Sequence, residues 1–282
     1  MSGQVYYKYE HTQNRKTKQV LAALVEGNSI RATCRMTDTA KGTVLKLLAQ
    51  IGKACAEYQG KVFHDLTCER IQCDEIWAFC YAKEKNVPKG KKGTFGFGDT
   101  WTFTALCADS KLVPSWRIGR RDLLNATLFM KDLAGRLKNK VQLTTDGHRM
   151  YLDAVETTFG SEVDFSQLVK IYGSSPESEV RYSPAECIGI EKNNIQGNPD
   201  PEHVSTSYVE RQNLTMRMNM RQFTRLTNAF SKKVENLGHA IALHFMYYNF
   251  CRVHQTLRVT PAMEAGVTDH VWGIEDIISL IK

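Results

Sequence analysis

Three carboxylates stand in settings where acids can do chemistry. Asp74 falls inside the β-forming run Ile71-Gln72-Cys73-Asp74-Glu75-Ile76-Trp77-Ala78-Phe79-Cys80-Tyr81, and Asp146 follows Val141-Gln142-Leu143-Thr144-Thr145 directly before Gly147. Glu210 lies in Ser207-Tyr208-Val209-Glu210-Arg211-Gln212-Asn213, the opening of a long helical stretch. Two strand-borne aspartates facing a helix-borne glutamate would form a cluster of hard oxygen ligands. Like charges so close are unfavourable without a cation, so the cluster implies Mg²⁺ or Mn²⁺. Two such ions about 3.5–4 Å apart could activate an attacking oxygen and stabilise a leaving one, as phosphodiester cleavage requires.

Other titratable residues have local readings. Glu75 adjoins Asp74 but alternation along a strand points it to the opposite face, as a surface or salt-bridge residue. Asp109 occupies a turn between two strands, where aspartate is common for local reasons. His148 either touches substrate or caps the following helix.

The elements that must position the acids follow from periodicity. Residues 71–81 and 101–107 read as strands, and 113–118 as a third joined to the second through Asp109-Ser110-Lys111. A helix marked by Leu123, Leu124, Leu128, Leu133 and Leu137 comes next, then a strand over 141–145, a further helix, and a strand around Leu168–Ile171. That order predicts an α/β ribonuclease-H-like core. Residues 174–204, with Pro176, Pro184, Pro199 and Pro201, read as an irregular insertion ahead of the Glu210 helix. The stripe Ala242, Phe245, Met246 and Phe250 reads as core. Lys89-Gly90-Lys91-Lys92-Gly93 lacks the spacing of a phosphate-binding loop, so no nucleotide cofactor is expected, and it reads as a flexible basic hairpin near DNA.

Ahead of the core, Val20, Leu21, Leu24 and Val25 mark one helix, Ser29 can cap a second over 30–36, and a third begins near Ala40 with Val44, Leu47, Leu48 and Ile51 on one face. Three short helices with a tight turn predict an all-α helix-turn-helix domain, against the plainer alternative of a three-helix bundle with a solvated basic face. Lys41, Thr43 and Lys46 would reach bases or phosphates, with Arg31 and Arg35 placed for backbone phosphates. Gly42 weakens the third helix by about 1 kcal/mol relative to alanine. The boundaries are a DNA-binding region over 1–69, a catalytic core over 70–255 and a C-terminal tail over 256–282.

Composition agrees with a globular chain. The 282 residues include 42% hydrophobic side chains with 19 Gly and 7 Pro, which excludes a disordered or fibrous protein. The net charge of +7 divides into +5 over residues 1–70, −1 over 71–204 and +3 over 205–282, so the basicity belongs to the ends and suits a polyanion. No window is apolar enough for a membrane span and no signal peptide is evident, so no membrane partner and a cytoplasmic, nucleoid-associated location are expected. The eight cysteines contain no C-x-x-C pair and read as reduced, mostly buried thiols.

Asp74-Glu75-Ile76-Trp77, Thr144-Thr145-Asp146-Gly147-His148 and Val209-Glu210-Arg211-Gln212-Asn213-Leu214-Thr215-Met216-Arg217 carry a resemblance. Arg225-Leu226-Thr227, Phe230-Ser231-Lys232-Lys233, Tyr248-Asn249-Phe250-Cys251-Arg252-Val253-His254 and Thr260-Pro261-Ala262 extend it. Over about Ile30 to Ala265 the chain resembles bacterial insertion-sequence transposases of the DDE type, close to the IS-one-like group, with a retroviral-integrase-like core. The resemblance implies that the ribonuclease-H-like core is integrase-type and that Asp74, Asp146 and Glu210, separated by 71 and 63 intervening residues, are the catalytic, metal-binding triad. It implies DNA contact by Arg217, where many relatives carry lysine, with Asn213 and Arg221 on the same stretch. It further implies two Mg²⁺ or Mn²⁺ ions, double-stranded DNA as partner (terminal inverted repeats and target), hydrolysis followed by strand transfer, and a homo-oligomer on DNA. The zinc finger of some relatives has no ligand set here. A retired transposase serving as a DNA-binding regulator, or a non-mobile ribonuclease-H-like nuclease, are the competing expectations.

Overall fold

The computed structural model describes residues 15–173, 187–224 and 228–281. The polar N-terminal stretch, Pro176 and Pro184 of the expected insertion, and Arg225-Leu226-Thr227 lie outside them. Six strands form one mixed sheet in the order β3-β2-β1-β4-β5-β6, with β1 Arg70–Cys80, β2 Gly98–Cys107, β3 Ser115–Gly119, β4 Val141–Asp146, β5 Val163–Tyr172 and β6 Cys187–Gln196. β1, β2 and β3 pair antiparallel, β4 lies parallel to β1, β5 parallel to β4, and β6 returns antiparallel to β5. Helices flank the sheet, an arrangement compatible with the expected ribonuclease-H-like core.

β1 is central because its residues are apolar on both faces, the pattern of a strand covered on two sides. Ile76, Ala78 and Cys80 pack with α6 (Ser207–Asn219) and α7 (Val234–Met246), whereas Ile71 and Cys73 join a core that includes α4 (Leu123–Ala134) and α5 (Met150–Phe159). Alternation therefore sends Asp74 toward α6 and Glu75 toward α5. The Ala242, Phe245, Met246 and Phe250 stripe is buried, as expected.

Two elements differ from expectation. Residues 187–196, inside the stretch read as irregular, form the edge strand β6. Its sequence Cys-Ile-Gly-Ile-Glu-Lys-Asn-Asn-Ile-Gln is exposed along nearly its whole length, so no buried face imposes a period-two signal. The leucines mark α4, but of them only Leu133 lies on its core face. Leu123, Leu124 and Leu128 are exposed, Leu137 lies beyond the helix, and Ala126, Phe129, Met130 and Leu133 make the contact. As expected, the basic stretch joins β1 and β2 as the connection of an antiparallel hairpin that closes at Cys80 and Gly98, and it carries two short 3₁₀ turns, Glu84–Asn86 and Lys89–Lys91. There Lys91 Nζ sits 4.5 Å from the Tyr81 ring centre and 4.7 Å from that of Phe97.

The N-terminal helices are α1 over 15–25, α2 Ile30–Thr37 and α3 Lys41–Val62. Ser29 caps α2 by accepting from the Ala32 N–H at 3.2 Å. α3 is one helix of 22 residues, and its C-terminal half lies on α7. Gly52 permits that approach, since a Cβ there would lie 2.5 Å from His239 Cβ. Gln59 Nε2 donates to the Ala242 carbonyl at 3.2 Å. Leu21, Val25, Leu48, Ile51 and Cys55 belong to the same hydrophobic core as Ile71, Phe103 and Leu143, so this helical layer and the sheet share one interior. The C-terminal residues return to it as well. Trp272 packs against Tyr58 and Phe250, and Ile277 of α8 (Ile274–Ser279) is fully buried. No helix of the described residues is long and apolar enough to cross a membrane.

Candidate metal centre

The site lies where β4 ends while β1 runs on. The β1/β4 pairing closes at Cys73 and Thr145, placing Asp74 and Asp146 on the next rung of adjacent parallel strands. Ligand oxygens of Asp74, Glu75 and Asp146 all fall within 4.8 Å of one another. Glu75, expected on the opposite face as a surface or salt-bridge residue, does point toward α5, but its side chain is fully buried and paired with Arg121. Because β4 stops one rung away, the Glu75 carboxylate reaches round to the same cluster.

Each acid has a distinct set of partners. Asp74 Oδ1 accepts from the Glu75 N–H at 2.7 Å and its Oδ2 from Asn213 Nδ2 at 2.8 Å. Burial pushes the Asp74 carboxyl up to about 6, with the charges of Asp146 and Glu210 adding to the rise and the two hydrogen bonds opposing it. Burial, reinforced by Asp146, pushes Glu75 up to about 7. The buried Tyr151 hydroxyl is a partner of the Glu75 side chain, and that hydrogen bond opposes the rise of Glu75. Asp146 Oδ1 accepts from the His148 N–H at 3.1 Å, and its Oδ2 lies 3.4 Å from Arg121 Nη2.

Glu210 is held beside this group rather than in it. Lys170 Nζ, from β5, lies 2.5 Å from both Glu210 oxygens, and Thr206 Oγ1 donates to Oε1 at 2.6 Å. Lys170 is raised: burial alone would lower it, and the bond and charge of Glu210 outweigh that. The glutamate helix is fixed to the sheet at its first turn. Gln72 Oε1, on the same face of β1 as Asp74, accepts from the N–H groups of Tyr208 at 2.8 Å and Val209 at 3.2 Å. That register puts Asn213 against Asp74.

No protein-family model and no curated protein matches the chain. The chemistry of the site therefore rests on its donors. Asp74, Glu75 and Asp146 offer only carboxylate oxygens, and two of the three groups are raised by burial and crowding. A hard divalent cation fits such a set, because it relieves the repulsion between the carboxylates.

The remaining expected residues fall into two groups. Arg31 and Arg35 on α2, Lys41, Thr43 and Lys46 at the start of α3, and Arg217 on α6 are all exposed. Asn213, expected to contact DNA, is instead buried with Val209, Gln212 and Met216 on the inner stripe of α6, and positions Asp74. Arg221 is exposed but lies past the end of α6, in a 3₁₀ turn over Arg221–Phe223. His148 behaves as a cap, its Nδ1 accepting from the Met150 N–H at 3.3 Å. Asp109 pairs with Arg70 at the opposite end of β1, a structural role. Arg121 and Lys170 were not singled out by sequence, since neither lies in a motif; only the fold brings these cations to the acids.

Proposed function

We propose that the chain is a DNA transposase of the DDE type, in which a ribonuclease-H-like core hydrolyses a phosphodiester at the end of an insertion sequence and joins the exposed 3′-hydroxyl to target DNA. The observation that carries this reading is the meeting of Asp74 and Asp146 at the ends of adjacent parallel strands, with the Glu210 helix tied to Asp74 through Asn213. The strand order, three antiparallel strands followed by two parallel ones reached through helices, supports the same core.

In this reading Asp74, Asp146 and Glu210 would hold Mg²⁺ or Mn²⁺, while Glu75 stays paired with Arg121. Divalent ions there would supply Lewis-acid activation of the attacking oxygen and charge stabilisation of the leaving one. Asn213 and the Glu75 N–H orient Asp74, His148 N–H orients Asp146, and Lys170 with Thr206 hold Glu210 until substrate engages. Exposed Arg31, Arg35, Lys41, Thr43 and Lys46 take the terminal inverted repeat, and Arg217 the DNA close to the acids. Both ends of the element must be held together, so the working form on DNA is a dimer or larger.

The test is joining, not cutting alone. Purified protein is incubated with Mg²⁺, a plasmid carrying the DNA that flanks the gene, and a second target plasmid. Joined molecules with wild-type protein, absent with Asp146→Asn, are expected. Cleavage without joining would replace the transposase with a plain nuclease, and sequence-specific binding without cleavage would replace it with a regulator.

A further inference from the structure

Arg121 sits between β3 and α4, one residue before Asp122, whose side chain caps α4 by accepting from the Asn125 N–H at 2.9 Å. The start of a capped helix thus fixes its backbone. Its side chain is restrained on two sides. Nε donates to Glu75 Oε2 at 3.0 Å, Nη2 lies 2.9 Å from the same carboxylate, and the guanidinium carbon lies 4.7 Å from the Trp101 ring centre. The contact to Asp146, at 3.4 Å, is the longest of these hydrogen bonds. The Nη1 end of the fork has no hydrogen-bond partner among the described residues, and 31% of the side chain is exposed at the rim of the acidic cluster.

A fully buried carboxylate is costly unless it is matched. Here Glu75, with no side-chain exposure, grips one edge of an arginine whose other edge is left open. A planar fork held along Nε and Nη2 and stacked on an indole keeps little rotamer freedom, so less is lost when Nη1 takes a further acceptor. The chemistry that recognises such a group beside a phosphodiester-cutting site is a phosphate oxygen.

We propose that Arg121 is a DNA-phosphate ligand of this site, clamped by Glu75 and Trp101 so that its free Nη1 edge meets the phosphodiester presented to the acids. Glu75 is then a positioning residue that acts through Arg121, and Trp101 supplies the second wall. This rests on the proposed DNA chemistry and adds a substrate contact that the three acids do not provide.

The experiment measures binding, so that loss of turnover does not decide it. Anisotropy of a fluorescein-labelled DNA duplex is followed against KCl, in Ca²⁺ and separately in EDTA, for wild type, Arg121→Gln, Arg121→Lys and Glu75→Gln, with thermal melting of each. In Ca²⁺, where a bound cation offsets the repulsion between acids and phosphate, Arg121→Gln should bind about tenfold more weakly, and the slope of log affinity against log salt should fall by about one. Arg121→Lys should keep the slope but lose several-fold in affinity, because the charge remains and the fork is gone. Glu75→Gln, with Arg121 present but unclamped, should also lose several-fold. Arg121→Gln with wild-type affinity and slope overturns the inference and leaves the proposed function standing. If Arg121→Gln does not fold, Arg121→Lys decides, and wild-type affinity in that variant overturns the inference. A wild-type chain that binds no duplex in either buffer overturns the proposed function, and the inference with it.

Discussion

Asp74→Asn should make the protein more stable while removing its proposed chemistry. The wild-type carboxyl rises from 3.8 to about 6 in the fold, chiefly through burial, so its ionised form is disfavoured by the native state. At 1.36 kcal/mol per pH unit that rise corresponds to about 3 kcal/mol, and residual solvent contact reduces the usable part to about 2 kcal/mol. Since the folded value is raised, the native state binds more protons than the unfolded chain between the two values. Wild-type stability therefore falls as pH rises from about 4 to about 6 and is level beyond, as far as this group decides it.

Asparagine removes that charge, so the advantage of the variant should be absent near pH 4, grow through about pH 5 and saturate above about pH 6. The local hydrogen bonds can be rebuilt. The oxygen of the introduced amide can still accept from the Glu75 N–H, and Asn213, whose Oδ1 is buried without a partner, can rotate its own amide to accept from the introduced NH₂ group. The assay is urea denaturation in EDTA at several pH values, followed by circular dichroism. Equal stability of the two proteins at about pH 8, or a gain of the same size at about pH 4 and pH 8, would refute the claim that crowding and burial strain this carboxylate.

Further consequences can be measured independently. Mg²⁺ at a hundredfold excess over its dissociation constant should stabilise the wild type by about 2.7 kcal/mol, seen as a raised melting temperature, and Asp146→Asn should abolish the shift. Gly52→Ala would set a Cβ 2.5 Å from His239 Cβ and 2.6 Å from its Cα, so urea unfolding should show a loss of about 3 kcal/mol as α3 is forced off α7. Lys41→Glu combined with Lys46→Glu should weaken binding to element ends and lower the salt slope by about two, without moving the melting temperature, since both side chains are exposed.

Much of the sheet was legible because burial writes itself into sequence. β1, β2 and β4 are rich in β-branched, aromatic and cysteine residues, and their order carries Asp74 and Asp146 to adjacent strands. β6 was not legible, because an exposed edge strand is free to be polar on both faces. Glu75 was read correctly as a salt-bridge residue on the opposite face, but its approach to the cluster was not legible, for a geometric reason. Alternation gives the face of a side chain correctly but not where the neighbouring strand stops, and it is the end of β4 that lets a residue from the other face join the cluster. Likewise, helical spacing placed Asn213 near Glu210 without saying that the stripe through Val209, Gln212 and Met216 faces inward. Arg121 and Lys170 come to the acids from α4's entry and β5, contacts at separations of 46 and 40 residues that periodicity cannot encode.

The central claim is that Asp74, Asp146 and Glu210 act as one metal-dependent unit on DNA. Its most direct test is cleavage of end-labelled duplex DNA from the flanks of the gene, with wild type, Asp74→Asn, Asp146→Asn and Glu210→Gln, each in Mg²⁺ and in EDTA. Wild type should cut in Mg²⁺ alone, and none of the three variants should cut in either buffer. Cutting that persists in EDTA, or that survives the loss of Asp146, would contradict it.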